Sequence, residues 1–273
     1  PNQRTQAASR VLIGLTIATI VGVPVATWMG QALGWRFGFG IVGVLASLTV
    51  FLVWKYVPVD APTPGASMTR ELGALKRRQV WLTLAIGAVG FGGMFAVYSY
   101  LASTLMDVTR VEPWVVPIVL MVFGLGLTVG TYVSAWLADR ALMATAGGLL
   151  LWSAFWLAVF PFAVTNIYAV TIVVFMIGCG GSLGVPLQTR LMDVADDAQT
   201  LAASLNHSAF NTANAIGPWL GGLAIAQGYG WSSTGYVGTA LAIGGMVFWA
   251  ISMATDPKHG RHVSHHQRTA AGE

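Results

Sequence analysis

Eight long, almost uninterrupted apolar runs follow one another along this chain, at residues 11–30, 37–57, 80–104, 114–138, 141–164, 167–187, 201–226 and 234–255. A helix that crosses the hydrocarbon core of a bilayer needs about 20 mostly apolar residues, so each run is long enough to cross once. Barrel strands alternate in polarity over about ten residues, and these runs are too long and too uniform for that pattern. The alternative of a large water-soluble domain fails on its surface. Only 9% of residues are charged while 55% are apolar, whereas a soluble domain carries roughly a quarter charged residues. The expected fold class is an all-α integral membrane protein of eight transmembrane helices, with the lipid bilayer as its principal surroundings.

The charged residues respect this division. If the runs cross alternately, Arg4, Arg10, Lys55, Arg70, Lys76, Arg77, Arg78, Arg140, Arg190, Lys258, Arg261 and Arg268 fall on one side. Only Arg36 and Arg110 fall on the other. Cytoplasmic segments retain positive charge, so both termini are expected in the cytoplasm. The net charge of +4 sits at helix ends and does not form a nucleic-acid surface. The lone Cys179 lies within a run and excludes an internal disulfide.

The longest connection, residues 58–79, holds Pro58, Pro62 and Pro64 and then a charged amphipathic stretch. It reads as a cytoplasmic linker with a short surface helix. Two runs precede it (residues 1–57) and six follow it (80–255), with a disordered tail expected over 256–273. The first run contains Gly22-Val23-Pro24 and ends in Gly34-Trp35; the seventh contains Gly217-Pro218 and ends in Gly230-Trp231. Gly30 and Gly222 lie between the two marks in each copy. A repeat at six-helix spacing is the parallel duplication found in one class of transporter. It makes the first run the fifth helix of its half and implies four further helices upstream, so the chain, which lacks an initiator Met, is expected to be a fragment.

These residues resemble the major facilitator superfamily, and most nearly its bacterial twelve-helix drug/proton antiporters and arabinose-efflux-type permeases. The family carries a G-P-x-x-G-G motif. The seventh run matches it in full as Gly217-Pro218-Trp219-Leu220-Gly221-Gly222, and the first run matches loosely through Gly22, Pro24 and Gly30. A family loop motif of the form G-x-L-A-D-R is similar to Ala135-Trp136-Leu137-Ala138-Asp139-Arg140, with Ala in place of the first Gly. The resemblance implies two helices from an N-terminal bundle and a complete six-helix C-terminal bundle. It also implies a bacterial inner-membrane location, a monomer when complete, and proton-coupled efflux of a drug or sugar by alternating access. Gating then falls to Gly22, Pro24, Gly30, Gly217, Pro218, Gly221, Gly222, Asp139 and Arg140. Plain close packing of smooth helices, and for Asp139-Arg140 a helix cap and positive-side anchor, are the alternatives.

Two groups qualify as a substrate cavity. His207, Asn211 and Asn214 follow i, i+4, i+7 and share one helix face, next to Asn206. Polar residues inside a membrane span face a bundle interior or a water-filled space, although interhelical hydrogen bonding also accounts for them. Phe91, Phe95 and Tyr98 share a face of the third run and suit an apolar or amphipathic solute, or serve packing. No run contains a carboxylate, so the proton carrier is expected in the upstream helices rather than at His207. Gln188 and Arg190 read as helix anchors.

Other chemistry is rejected. Gly38-Phe39-Gly40-Ile41-Val42-Gly43 fits a dinucleotide fingerprint but lies within an apolar run with no strand before it. No G-x-x-x-x-G-K-[ST] loop is present, so no nucleotide or other cofactor is expected. His259, His262, His265 and His266 lack a supporting carboxylate or thiol, so no metal is expected there. No catalytic constellation appears. A receptor or sensor would need a signalling domain for which neither tail has room, and an intramembrane enzyme would need ionisable groups at depth. A truncated, inactive transporter remains an alternative.

Overall fold

The computed structural model describes residues 18–57, 73–195 and 198–256. The start of the first run, most of the linker and its surface helix, and the tail with its four histidines lie outside the described residues.

Every regular element among the described residues is helical. A π-helical turn, Ala18–Gly22, leads into α1 (Val23–Leu33), and α2 is Trp35–Tyr56. A 3-10 turn, Gly73–Lys76, then precedes α3 (Arg78–Gly90), α4 (Gly92–Tyr98) and α5 (Leu101–Asp107). Helix α6 (Val115–Ala163) reverses at one non-helical residue, Ala141, and so forms two arms, 115–140 and 142–163. Next come α7 (Ile167–Gly180), a 3-10 turn (Gly181–Leu183), α8 (Gly184–Ala195), α9 (Gln199–Ala224), a π-helical turn (Ile225–Tyr229) and α10 (Ser233–Ala254). Five continuous helical stretches among the described residues are long and apolar enough to cross a membrane, and α6 alone holds two of the expected runs.

Lipid explains why these sequences are helical: it offers no hydrogen bonds, so each backbone group must be satisfied within its own segment. Side-chain hydroxyls follow the same rule. Thr83, Thr128, Thr145 and Thr239 each donate to the carbonyl four residues back. Asn166 starts α7 by accepting from the amides of Tyr168 and Ala169 at 2.9 and 3.2 Å.

The helices after the linker share one apolar core around Ile86, Leu101, Leu150, Leu157 and Phe160, all fully buried. Small residues bring backbones together at the crossings. Gly126 and Gly130 lie against Phe175 and Cys179 (α6 on α7), and Gly93 lies against Gly238 (α4 on α10). Ahead of the linker, α1 packs on α6, while α2 touches α1 and buries none of its residues among the described helices.

The internal repeat is visible in the backbone. Gly34 has φ 89° and ψ 153°, and Gly230 has φ 76° and ψ 173°. Both occupy a region essentially restricted to glycine, both follow a Gly/Pro helix, and both precede a tryptophan. Charged side chains also gather by end. Arg77, Arg78, Arg190, Asp193 and Asp256 line one polar pocket of about 390 Å³. At the opposite end, the Thr109 hydroxyl donates to the Val164 carbonyl, close to Arg110.

Candidate functional site

The candidate site lies where two of the long helical stretches come together at glycine-rich points. The stretch from Arg78 passes from α3 into α4 at Phe91, which keeps helical angles of φ −70° and ψ −26°, and the stretch from Ile167 tightens into the Gly181–Leu183 3-10 turn. These two places meet: a Cβ on Gly181 would overlap the Met94 sulfur, and one on Gly184 would lie 3.6 Å from the Phe91 ring. Phe210 of α9 reaches this point. Its ring centroid is 5.0 Å from Phe91 and 5.0 Å from Phe95, both edge-on, and Phe91 and Phe95 are 6.3 Å apart. Edge-on contact suits the aromatic quadrupoles. Phe210 is 11 residues into α9, or about 16 Å. The triad therefore sits near the middle of this 26-residue helix.

Phe91 and Phe95 are buried, while Phe210 stays 37% exposed. The face it opens on carries His207, Asn211 and Asn214, all exposed. The polar stripe and the aromatic pair therefore adjoin through one ring. Tyr98 does not join them; it is half-buried, with its ring 4.7 Å from Phe123. Asn206 also turns elsewhere and donates to the Gln188 side-chain oxygen at 2.5 Å, tying α9 to α8.

The Gly/Pro motif of α9 forms a helix seam. Ala209, Ala213, Gly217 and Gly221 are buried at four-residue spacing, and a Cβ on Gly217 would overlap the Gly92 carbonyl of α4. The Tyr100 hydroxyl donates to the Pro218 carbonyl at 2.9 Å and closes on Gly222. The first copy is looser: Pro24 is buried, but Gly22 would meet only Ala18 of its own segment, and nothing lies within 4 Å of a Cβ on Gly30.

Asp139 is exposed and caps nothing among the described residues, and the Arg140 guanidinium lies 3.5 Å over the Trp136 ring. Arg190 is a buried cross-brace: its Nη2 donates to Asp256 Oδ2 at 2.6 Å, joining α8 to the end of α10. Beside it, Gln79 donates to the Ser252 carbonyl and accepts from the Ser252 hydroxyl. Sequence reasoning missed Phe210 and Asp256. Phe210 carried a signal, because it stands at i+3 from His207 and i−4 from Asn214. Asp256 carried none, since its partner is 66 residues away.

The profile of the Major Facilitator Superfamily matches residues 1–197. The chain is 33% identical over 242 residues to the inner membrane transport protein YdhP of Escherichia coli (strain K12), covering 88% of this chain and 62% of that protein. It is 31% identical over 243 residues to the uncharacterized MFS-type transporter YfhI of Bacillus subtilis (strain 168), covering 88% and 61%. It is 30% identical over 254 residues to a probable sugar efflux transporter of Helicobacter pylori (strain ATCC 700392 / 26695), covering 91% and 63%. The chain thus spans about three fifths of the length of these relatives. The matched profile, the apolar helices and the duplicated Gly-Trp turns agree: this chain is a multi-pass membrane protein of the Major Facilitator Superfamily.

Proposed function

We propose that the chain forms part of a secondary transporter that exports small organic molecules, coupled to protons, by alternating access. Residues 1–57 belong to one helix bundle, 58–79 to a linker and 80–255 to a second, six-helix bundle, with both termini in the cytoplasm. The solute path runs along the face of His207, Asn211 and Asn214, with Phe91, Phe95 and Phe210 as the aromatic wall. The Gly/Pro segments of α1 and α9 carry the rocking surfaces. The observation that supports this most directly is the Phe91–Phe95–Phe210 triad, open through Phe210 beside a polar stripe near the middle of α9. With α9 spanning the bilayer in this reading, the triad lies near the midplane, where transporter sites are found.

A sugar or an amphipathic drug suits such a wall, because apolar faces stack on the rings while the amide and imidazole groups order the hydroxyls or polar edge. The test uses the protein at its native length in inverted membrane vesicles with an imposed proton gradient. A panel of sugars and amphipathic drugs is added and collapse of the gradient is followed. At least one panel member is expected to discharge the gradient. Phe210→Ala should weaken its half-saturating concentration by about two- to ten-fold, the worth of one or two aromatic contacts. If no panel member discharges the gradient, or Phe210→Ala leaves the response unchanged, the reading fails.

A further inference from the structure

A second concavity lies away from the aromatic triad, between the two arms of α6 and the outer side of α7. It has a volume of about 620 Å³ and is walled by Gly130, Leu137, Gly148, Trp152 and Cys179, with Arg140 at one end. Small residues create it: nothing lies within 4 Å of a Cβ on Gly148.

The chemistry of its wall selects the occupant. Ser134 donates to the Ser182 carbonyl, Thr145 to the Ala141 carbonyl, and the Trp152 indole to the Met176 carbonyl. These side-chain donors are committed to backbone, so the wall offers hydrocarbon rather than hydrogen bonds. The exception is Arg140, whose guanidinium stacks on Trp136 and makes no hydrogen bond or ion pair among the described residues. A guanidinium stacked by its face keeps its in-plane donors for a phosphate. The neighbouring Asp139 is exposed and adds an opposing charge, so Arg140 favours a ligand that reaches its far edge. From Arg140 to Val129 the groove follows 11 residues of helix, about 16 Å. That is the depth of one leaflet's hydrocarbon, about 15 Å.

The geometry points to a phospholipid held at this groove, with its phosphate on Arg140 and one acyl chain lying along Leu137, Gly148 and Trp152. The site is separate from the solute path, so it stands or falls independently of the transport reading.

The test is native mass spectrometry of the full chain in detergent, titrated with phosphatidylglycerol or with the corresponding diacylglycerol. Alkylation of Cys179, the only cysteine in the chain, is followed in parallel with N-ethylmaleimide. Phosphatidylglycerol is expected to add as a discrete adduct and to slow alkylation, and diacylglycerol to do so more weakly. Gly148→Leu projects a side chain into the groove from a point where a Cβ meets nothing within 4 Å, and should weaken the adduct roughly ten-fold, the worth of a few buried methylenes. Arg140→Gln should weaken it about five-fold and abolish the preference over diacylglycerol. The proposal is overturned if both variants bind phosphatidylglycerol like the parent chain. It is equally overturned if diacylglycerol protects Cys179 as well as phosphatidylglycerol does, or if protection follows protein concentration rather than lipid, which would make a second copy the occupant.

Discussion

At the scale of single residues, the two Gly-Trp turns say most. Gly34 and Gly230 adopt nearly the same backbone conformation, with φ 89° and 76°, and a side chain there would strain the backbone. Replacing either with Ala should cost about 1–3 kcal/mol, read as a lowered melting temperature in detergent. Gly30→Ala is the control. It lies within α1 with open space around it, and Ala is the better helix former by up to about 1 kcal/mol. Equal melting temperatures for all three variants would contradict the strain argument. The turns were legible in the sequence because so few residue types tolerate that conformation. Phe210 was harder to see. In an apolar run one ring looks like the next, and what distinguishes Phe210 is the company of Phe91 and Phe95, which only tertiary packing supplies.

At the scale of elements, the helices follow from the length and uniformity of the apolar runs, whereas the local change of winding within them does not. The 3-10 turn at Gly181–Leu183 needs no charge and no change in hydropathy, so it left little mark beyond a local richness in glycine. Partners across elements were hidden for the same reason. Arg190 reads as an anchor until α10 delivers Asp256 to it. That pair braces α8 against α10, and double-mutant analysis can weigh it. Arg190→Met and Asp256→Asn should each destabilise the protein, because each leaves a largely buried charge with fewer partners. The double variant should lose less than the sum, by about 0.5–3 kcal/mol. Strict additivity in detergent unfolding would show that the brace contributes nothing.

At the scale of the whole molecule, apolar surface faces outward almost everywhere. Trp54 is 80% exposed, Phe39 is 72% exposed, and α2 buries none of its residues. Exposed apolar area of that extent marks a membrane-facing surface rather than a watery one. The chain should stay with the membrane through an alkaline carbonate wash and leave it only with detergent; recovery in the aqueous wash would refute a spanning fold. The reversal at Ala141 bears on how such a body moves. Both arms of α6 run helically up to that one residue, so the joint is a single residue long. The backbone on either side is helical, so any change of angle between the arms has to turn about Ala141, which lines the groove ending at Arg140.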